Sequence, residues 1–140
     1  MSGYIQTNHV VTLLDAAKYA VQAADSGKTL LIPIQSQNLA ITLPSVQAGL
    51  RFRFMSIAIS AFTKTITPTN VNTLTGTLIN LSSAVAVVGV AIVFPIAKSA
   101  SATVQFTATS GTGDYIDLNC NGSIWYISGL SYTVAGGGLA

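Results

Sequence analysis

The sequence predicts an all-β protein, one domain folded as a β-sandwich or jelly-roll of about eight to ten strands, and three observations carry that expectation. Apolar runs are short, of strand length, and Pro and Gly cut them at close intervals. The chain holds 16 Thr and 14 Ser, and β-branched Thr favours strands. Several segments alternate apolar and polar residues with the period of two that places one face inward. A length of 140 residues suits a single such domain. Its divisions read as an N-terminal arm or short helix over 1–17, the sandwich over 18–134 and a flexible Gly-rich tail over 135–140.

Thr12–Ala24 is the best helical stretch because of its Ala content, although Tyr19–Gln22 also reads as a short strand. Asp25-Ser-Gly27 is a turn, and Lys28–Ile34 is a strand whose Pro33 places it at an edge or end. Leu39–Leu43 alternates and stops at Pro44. In Ala48–Phe54, Leu50, Phe52 and Phe54 share one face while Arg51 and Arg53 share the other. Beyond Met55 the parity changes, so that Ile57 and Ile59 are expected to carry the apolar face through a bulge or burial of both faces. Lys64–Pro68 is a short strand, and Thr75–Leu81 and Ala84–Phe94 are core strands, the second interrupted by Gly89. Ala102–Thr109 alternates cleanly, with Ala102, Val104, Phe106 and Ala108 inward. Asp114–Cys120 and Ser123–Ser128 flank Asn121-Gly122, the signal of a type I′ hairpin turn. That register sets Cys120 opposite Ser123, Leu118 opposite Trp125 and Ile116 opposite Ile127 on an apolar face. On the other face Asn119 meets Ile124, Asp117 meets Tyr126 and Tyr115 meets Ser128.

Composition narrows the function classes. Half the residues are hydrophobic and only 7% are charged, with four Lys, two Arg, four Asp and no Glu. Six scattered cations cannot neutralise many phosphates, so nucleic acid is not an expected partner. The apolar content argues against disorder. The single Cys120 excludes an intramolecular disulfide and any cysteine-based zinc site. The start, Met-Ser-Gly-Tyr-Ile-Gln, lacks the basic and apolar regions of a signal peptide. Leu78–Ala97 has the length of a membrane span, but Asn80, Ser82 and Ser83 interrupt it and Val and Ile dominate, so buried strands are the expected reading.

Few motifs carry chemistry. Gly27-Lys28-Thr29 has the ending of a phosphate loop, but Gln22 stands where the earlier Gly is needed, and a turn opening a strand explains it. His9 is the only imidazole, and Cys120 falls on an apolar face, so neither builds a catalytic set. Asp114 and Asp117 point to opposite faces of one strand and cannot pair as acid and base; Asp114 after Gly113 is a turn residue. No spacing suits a metal, and no cofactor is expected. Asn80-Leu-Ser82 and Asn121-Gly-Ser123 match the glycosylation pattern, the minor reading without a signal peptide. Arg51 and Arg53, side by side, can grip a carboxylate or phosphate, or stand on a solvated face. Tyr115, Tyr126 and Tyr132 gather near the C-terminus as a candidate sugar platform, whereas Trp125 shares its face with Ile116 and Ile127 and belongs in the core. A charge-poor surface with Thr-lined strands also suits permanent protein contacts and closed symmetric assembly.

Three blocks in succession carry a resemblance: Tyr19–Pro33, then Ile41–Pro44 with Ala48–Phe52, and finally Gly113–Leu118 with Gly122–Tyr126 after it. Across residues 19 to 134 the chain resembles small β-rich virion structural proteins, the decoration, cement and fibre-type proteins of tailed phages and other large double-stranded DNA viruses. The uncharged stretch Thr65–Ala97 departs from them. The resemblance implies a non-enzymatic homotrimer on the virion, sitting on or between major capsid proteins or forming a spike, and made in the host cytoplasm. On that view Arg51 and Arg53 are candidate capsid contacts. Val88, Val90, Ile92 and Phe94, within the apolar stretch Ala84–Ala97, are candidates for the core or the threefold contact. The alternative is a glycan-binding fibre-tip or lectin-like module that uses Tyr115, Tyr126 and Tyr132.

Overall fold

Short segments with one apolar face can all bury that face when two sheets lie against each other, and the chain takes that solution. The structure, a computed structural model, describes residues 9–70, 73–82, 92–133 and 139–140. Among them are strands β1 (Val10–Thr12), β2 (Lys18–Ala20), β3 (Thr29–Ile32), β4 (Leu39–Thr42), β5 (Arg51–Ser56) and β6 (Lys64–Thr67). They continue with β7 (Leu74–Ser82), β8 (Ile92–Ser101), β9 (Val104–Phe106), β10 (Tyr115–Cys120) and β11 (Trp125–Thr133). One sheet has seven strands in the order β1-β3-β5-β10-β11-β7-β8, the other four in the order β2-β4-β6-β9. The chain is thus the all-β sandwich that its alternation predicts.

How the strands connect is a separate finding. β1, β3 and β5 are parallel neighbours in the large sheet, and β2, β4 and β6 are parallel neighbours in the small one. The chain therefore crosses between the sheets as a flattened coil, each turn taking roughly 20 to 25 residues, a length found in solenoid repeats. Jelly rolls are built from antiparallel Greek keys, so that connectivity does not describe this first half. Antiparallel pairing enters later, where β10 pairs with both β5 and β11, β8 with β7, and β9 with β6.

The coil depends on how its corners satisfy buried polar groups. Gln35 is buried at the crossover after β3; its amide donates to the carbonyls of Leu14 and Pro33 and its oxygen accepts from Ala16 N–H. One side chain thereby fastens the first corner to the second. Asn38 does the same one turn on, accepting from Thr63 N–H at 3.0 Å. Between the sheets, Leu30, Ile32, Phe52, Phe54, Leu118 and Trp125 face Leu39, Ile41, Ile66, Val104 and Phe106, all buried. Phe52 and Trp125 meet with ring centroids 5.9 Å apart.

Several sequence expectations are corrected. Thr12–Ala24 holds no α-helix: it supplies the end of β1, all of β2 and one 3-10 turn at Ala23–Asp25. Residues 10–12, expected in an arm, are the outermost strand of the large sheet. The outward turn of Ile57 and Ile59 arises because β5 ends at Ser56, which continues the inward face of Phe52 and Phe54 and satisfies its hydroxyl on Ala58 O. Ala102 and Ala108 are exposed, and only Val104 and Phe106 of that segment point inward.

The hairpin is offset by two. Cys120 pairs with Trp125, Leu118 with Ile127 and Ile116 with Gly129; on the other face Asn119 pairs with Tyr126, Asp117 with Ser128 and Tyr115 with Leu130. The turn has slid one residue, to Gly122-Ser123. Gly122 takes φ +103° while Ser123 has no positive φ, and Asn121 spends its side chain accepting from the N–H groups of Ser123 and Ile124. A type I′ turn needs positive φ at both central residues, and Asn121 does not supply it. Sliding by one shifts each partner by two, so the predicted faces survive.

The expected flexible tail is docked at its last two residues. Leu139 is buried, and Ala140 exchanges backbone hydrogen bonds with Gln105 at 2.8 and 3.0 Å. Asn80, buried on the inner face of β7, donates to Leu139 O at 3.0 Å and accepts from Leu139 N–H at 2.9 Å. A large-sheet side chain thus imitates a strand partner for residues that extend the small sheet. Gly129 leaves the room: a Cβ there would stand 2.8 Å from Tyr115 O and 2.9 Å from the Leu139 side chain.

Leu139→Ala is expected to lower unfolding free energy by about 2–4 kcal/mol and Asn80→Ala by a similar amount, through lost packing and unpaired backbone groups respectively. Chemical denaturation checks both, and a change below about 0.5 kcal/mol for either would show that the Asn80–Leu139 contact does not hold the sheets together.

Candidate functional site

Because β5, β10 and β11 alternate, the side chains turned away from the core stand on the open face of the large sheet in rows. One row is Thr29, Arg53, Asp117, Ser128 and Thr77; the next is Arg51, Asn119, Tyr126 and Thr75. Met55, Tyr115, Leu130 and Ile79 form a half-buried apolar row beside them. Neutral side chains dominate this face, in keeping with the composition.

The two candidate arginines differ in kind. Arg53 is committed within the chain: Nε and Nη2 donate to the two Asp117 oxygens at 2.6 and 2.8 Å, and its guanidinium lies 4.7 Å from the Tyr115 ring centroid. The Asp117 carboxylate accordingly holds the Arg53 proton still more tightly than usual. Arg51 is exposed, and among the described residues no carboxylate stands within ion-pair distance of it. Beside it a polar groove of about 290 Å³ runs over β5, walled by Gly27, Lys28 and Thr29 on one side and Asp117 and Asn119 on the other. Lys28 is held at 2.9 Å by Asp25. Gly27-Lys28-Thr29 is a turn opening β3, with Gly27 N–H donating to Arg51 O.

Of the tyrosines, Tyr126 is 48% exposed, Tyr115 is half-buried under Arg53, and the two lie on different rows. Tyr132 is in the backbone of β11 and its side chain lies outside what is described. The same holds for Ile92 and Phe94 in β8, and Val88 and Val90 fall outside the described residues. No helix among the described residues is long and apolar enough to cross a membrane; residues 78–82 and 92–97 of the apolar stretch lie in β7 and β8. Asn80 is buried with its amide in use, whereas Asn121 is exposed in its turn.

A feature that no sequence pattern announced lies at one corner. Leu14, Ile34, Ile57 and Ile59 come just after β1, β3 and β5 and are 79, 64, 37 and 68% exposed. Since those strands are parallel neighbours, the four residues occupy successive turns of the coil at the same end of the large sheet. Gln35 stacks the first two corners, and Asp15 accepts from Ser36 N–H at 3.0 Å, which holds its carboxyl below the usual value. The residues thus form a rigid, solvent-facing aliphatic ladder.

A second polar group is internal. Lys64 is fully buried on the inner face of β6, donating to Ser110 Oγ at 3.5 Å, with the Asp114 charge nearby. Asp114, read as a turn residue, is also an interior anchor, accepting from Gly111 N–H and Ser131 Oγ at 2.6 Å each. Asp117 faces outward, as the spacing of the two predicts. Comparison with known proteins finds no matching family model and no curated protein of significant similarity.

Burial holds the Lys64 ammonium below the ordinary lysine value of 10.5, and Asp114 offsets part of that. The unfolded chain therefore binds this proton more tightly, so unfolding free energy is expected to rise with pH in the window below 10.5. Lys64→Met should flatten that rise in denaturation curves taken from pH 8 upward; an unchanged slope would contradict the assignment.

Proposed function

We propose that the chain is a non-enzymatic structural protein that acts by protein–protein contact and, in line with the resemblance of its sequence blocks, that it is a capsid decoration or cement protein working as a homotrimer on the virion. The aliphatic ladder carries this reading. Leu14, Ile34, Ile57 and Ile59 are large aliphatic residues exposed at neighbouring corners, and apolar surface gathered in one place on a folded protein is commonly functional. Ile57 and Ile59 are exposed because β5 ends at Ser56, so the fold spends two isoleucines on solvent where polar residues would serve a monomer better. The neutral outer face supports the same reading, since charge-poor surfaces suit standing contacts. Arg51, free of an internal partner among the described residues, is the better of the two candidate capsid contacts, because docking through Arg53 would first have to break its bidentate pair with Asp117.

One observation favours a second reading, a glycan-binding module: Tyr126 stands exposed on the same row as Arg51 and Asn119, next to the groove. A glycan array that responds to the wild type and loses its signal with Tyr126→Ala would support it.

The mass in solution is expected to be that of a trimer, and the protein is expected to co-sediment with assembled particles in fixed stoichiometry. Ile59→Asp, at a solvent-exposed site, should reduce self-association about tenfold or more while leaving the melting temperature of the dissociated chain unchanged. A monodisperse monomer at tens of micromolar, or an Ile59→Asp variant that assembles like the wild type, would overturn the assembly reading.

A further inference from the structure

Three of the six cations of this charge-poor chain line one groove, and both arginines are among them. Its only acidic wall residue, Asp117, is consumed by the bidentate pair with Arg53. Lys28 is balanced by Asp25. What remains is the Arg51 guanidinium, without a carboxylate partner among the described residues, on a strand with neighbours on both sides. Its main chain is held on the strand: Arg51 N–H donates to Ser26 Oγ at 3.0 Å and its carbonyl accepts from Gly27 N–H at 2.7 Å. Thr29 and Asn119 supply a hydroxyl and an amide on opposite walls. Tyr126 continues the row past Asn119 with an exposed ring.

We propose that this groove binds an acidic saccharide, with Arg51 gripping the sugar carboxylate and Thr29 and Asn119 bonding the ring hydroxyls. The chemistry selects the ligand. A guanidinium matches a planar carboxylate through two parallel N–H···O bonds. Neutral hydroxyl and amide groups around it suit a polyol better than a second charge. The groove, of about 290 Å³, is at the small end of ligand sites and has room for about one sugar ring. An extended polyphosphate would need more free cations than the walls offer. The ligand class rests on the second reading above; it does not depend on assembly or on a capsid partner.

The test is an amide chemical-shift titration of the full ¹⁵N-labelled chain with glucuronate, with glucose, and with an acidic dipeptide. Glucuronate is expected to give saturable shifts centred on Gly27, Thr29, Arg51 and Asn119, with glucose and the dipeptide weaker by about tenfold or more. Arg51→Ala should weaken glucuronate by about tenfold or more, and Arg51→Lys by less, since it keeps the charge and loses the two-point grip. Because Arg51 is exposed, both variants should melt like the wild type. Absence of saturable shifts up to roughly 50 mM, or equal binding by Arg51→Ala, would overturn the proposal. Equal binding of the dipeptide would also overturn it, since the groove would then read a carboxylate alone. A neutral sugar that depends on Tyr126 and ignores Arg51 would keep a glycan role for the sheet and still overturn this site.

Discussion

Burial of one apolar face from each of two sheets is the interaction on which everything else in this fold depends. A fully buried large aliphatic or aromatic side chain contributes about 1.5–3 kcal/mol, and here Trp125, Phe54, Phe106 and a set of Leu and Ile residues interlock in one shared interior. With so few charges available, the fold has little else to draw on. Among the described residues the Trp125 indole N–H is buried without a partner, while the other polar side chains that enter find one. Gln35 ties two corners, Asn80 stands in for a strand edge, and Asp114 gathers a backbone N–H and the Ser131 hydroxyl.

The coil turns that core into a scaffold for surface features. Parallel strands place equivalent positions of successive turns side by side, so the residues just past one strand lie next to those just past its neighbour. Leu14, Ile34 and Ile57 come together in this way although long stretches of sequence separate them. The same geometry fixes the groove: the turn before β3 leans on the start of β5, and β10 closes the other wall. The groove sits on paired strands, and the aliphatic residues on the short corners just past them.

Local alternation was legible in the sequence and non-local pairing was not. Phe52 and Phe54 against Arg51 and Arg53, and Leu118 and Cys120 against Asp117 and Asn119, came from the period of two alone. The hairpin faces survived a wrong turn because a one-residue slide keeps parity. Parallel winding left no such trace, since a parallel and an antiparallel strand alternate alike. Ile57 and Ile59 misled for a related reason: periodicity does not say where a strand ends, and Ser56 is inward because its hydroxyl finds Ala58 O. The docking of Leu139 depends on a glycine and an asparagine far away in sequence, a combination no local pattern announces. Of the candidate site, the two arginines were visible, but that Arg53 is spent on Asp117 while Arg51 is not required the register.

The claim that the aliphatic corner is the contact surface is tested most directly by hydrogen exchange on the assembled and the dissociated protein. Amides at residues 14–16, 34–36 and 57–59 are expected to gain protection together on assembly, because one partner surface covers all three turns. Protection that appears on the outer face of β10 and β11 while those three corners exchange as before would contradict it.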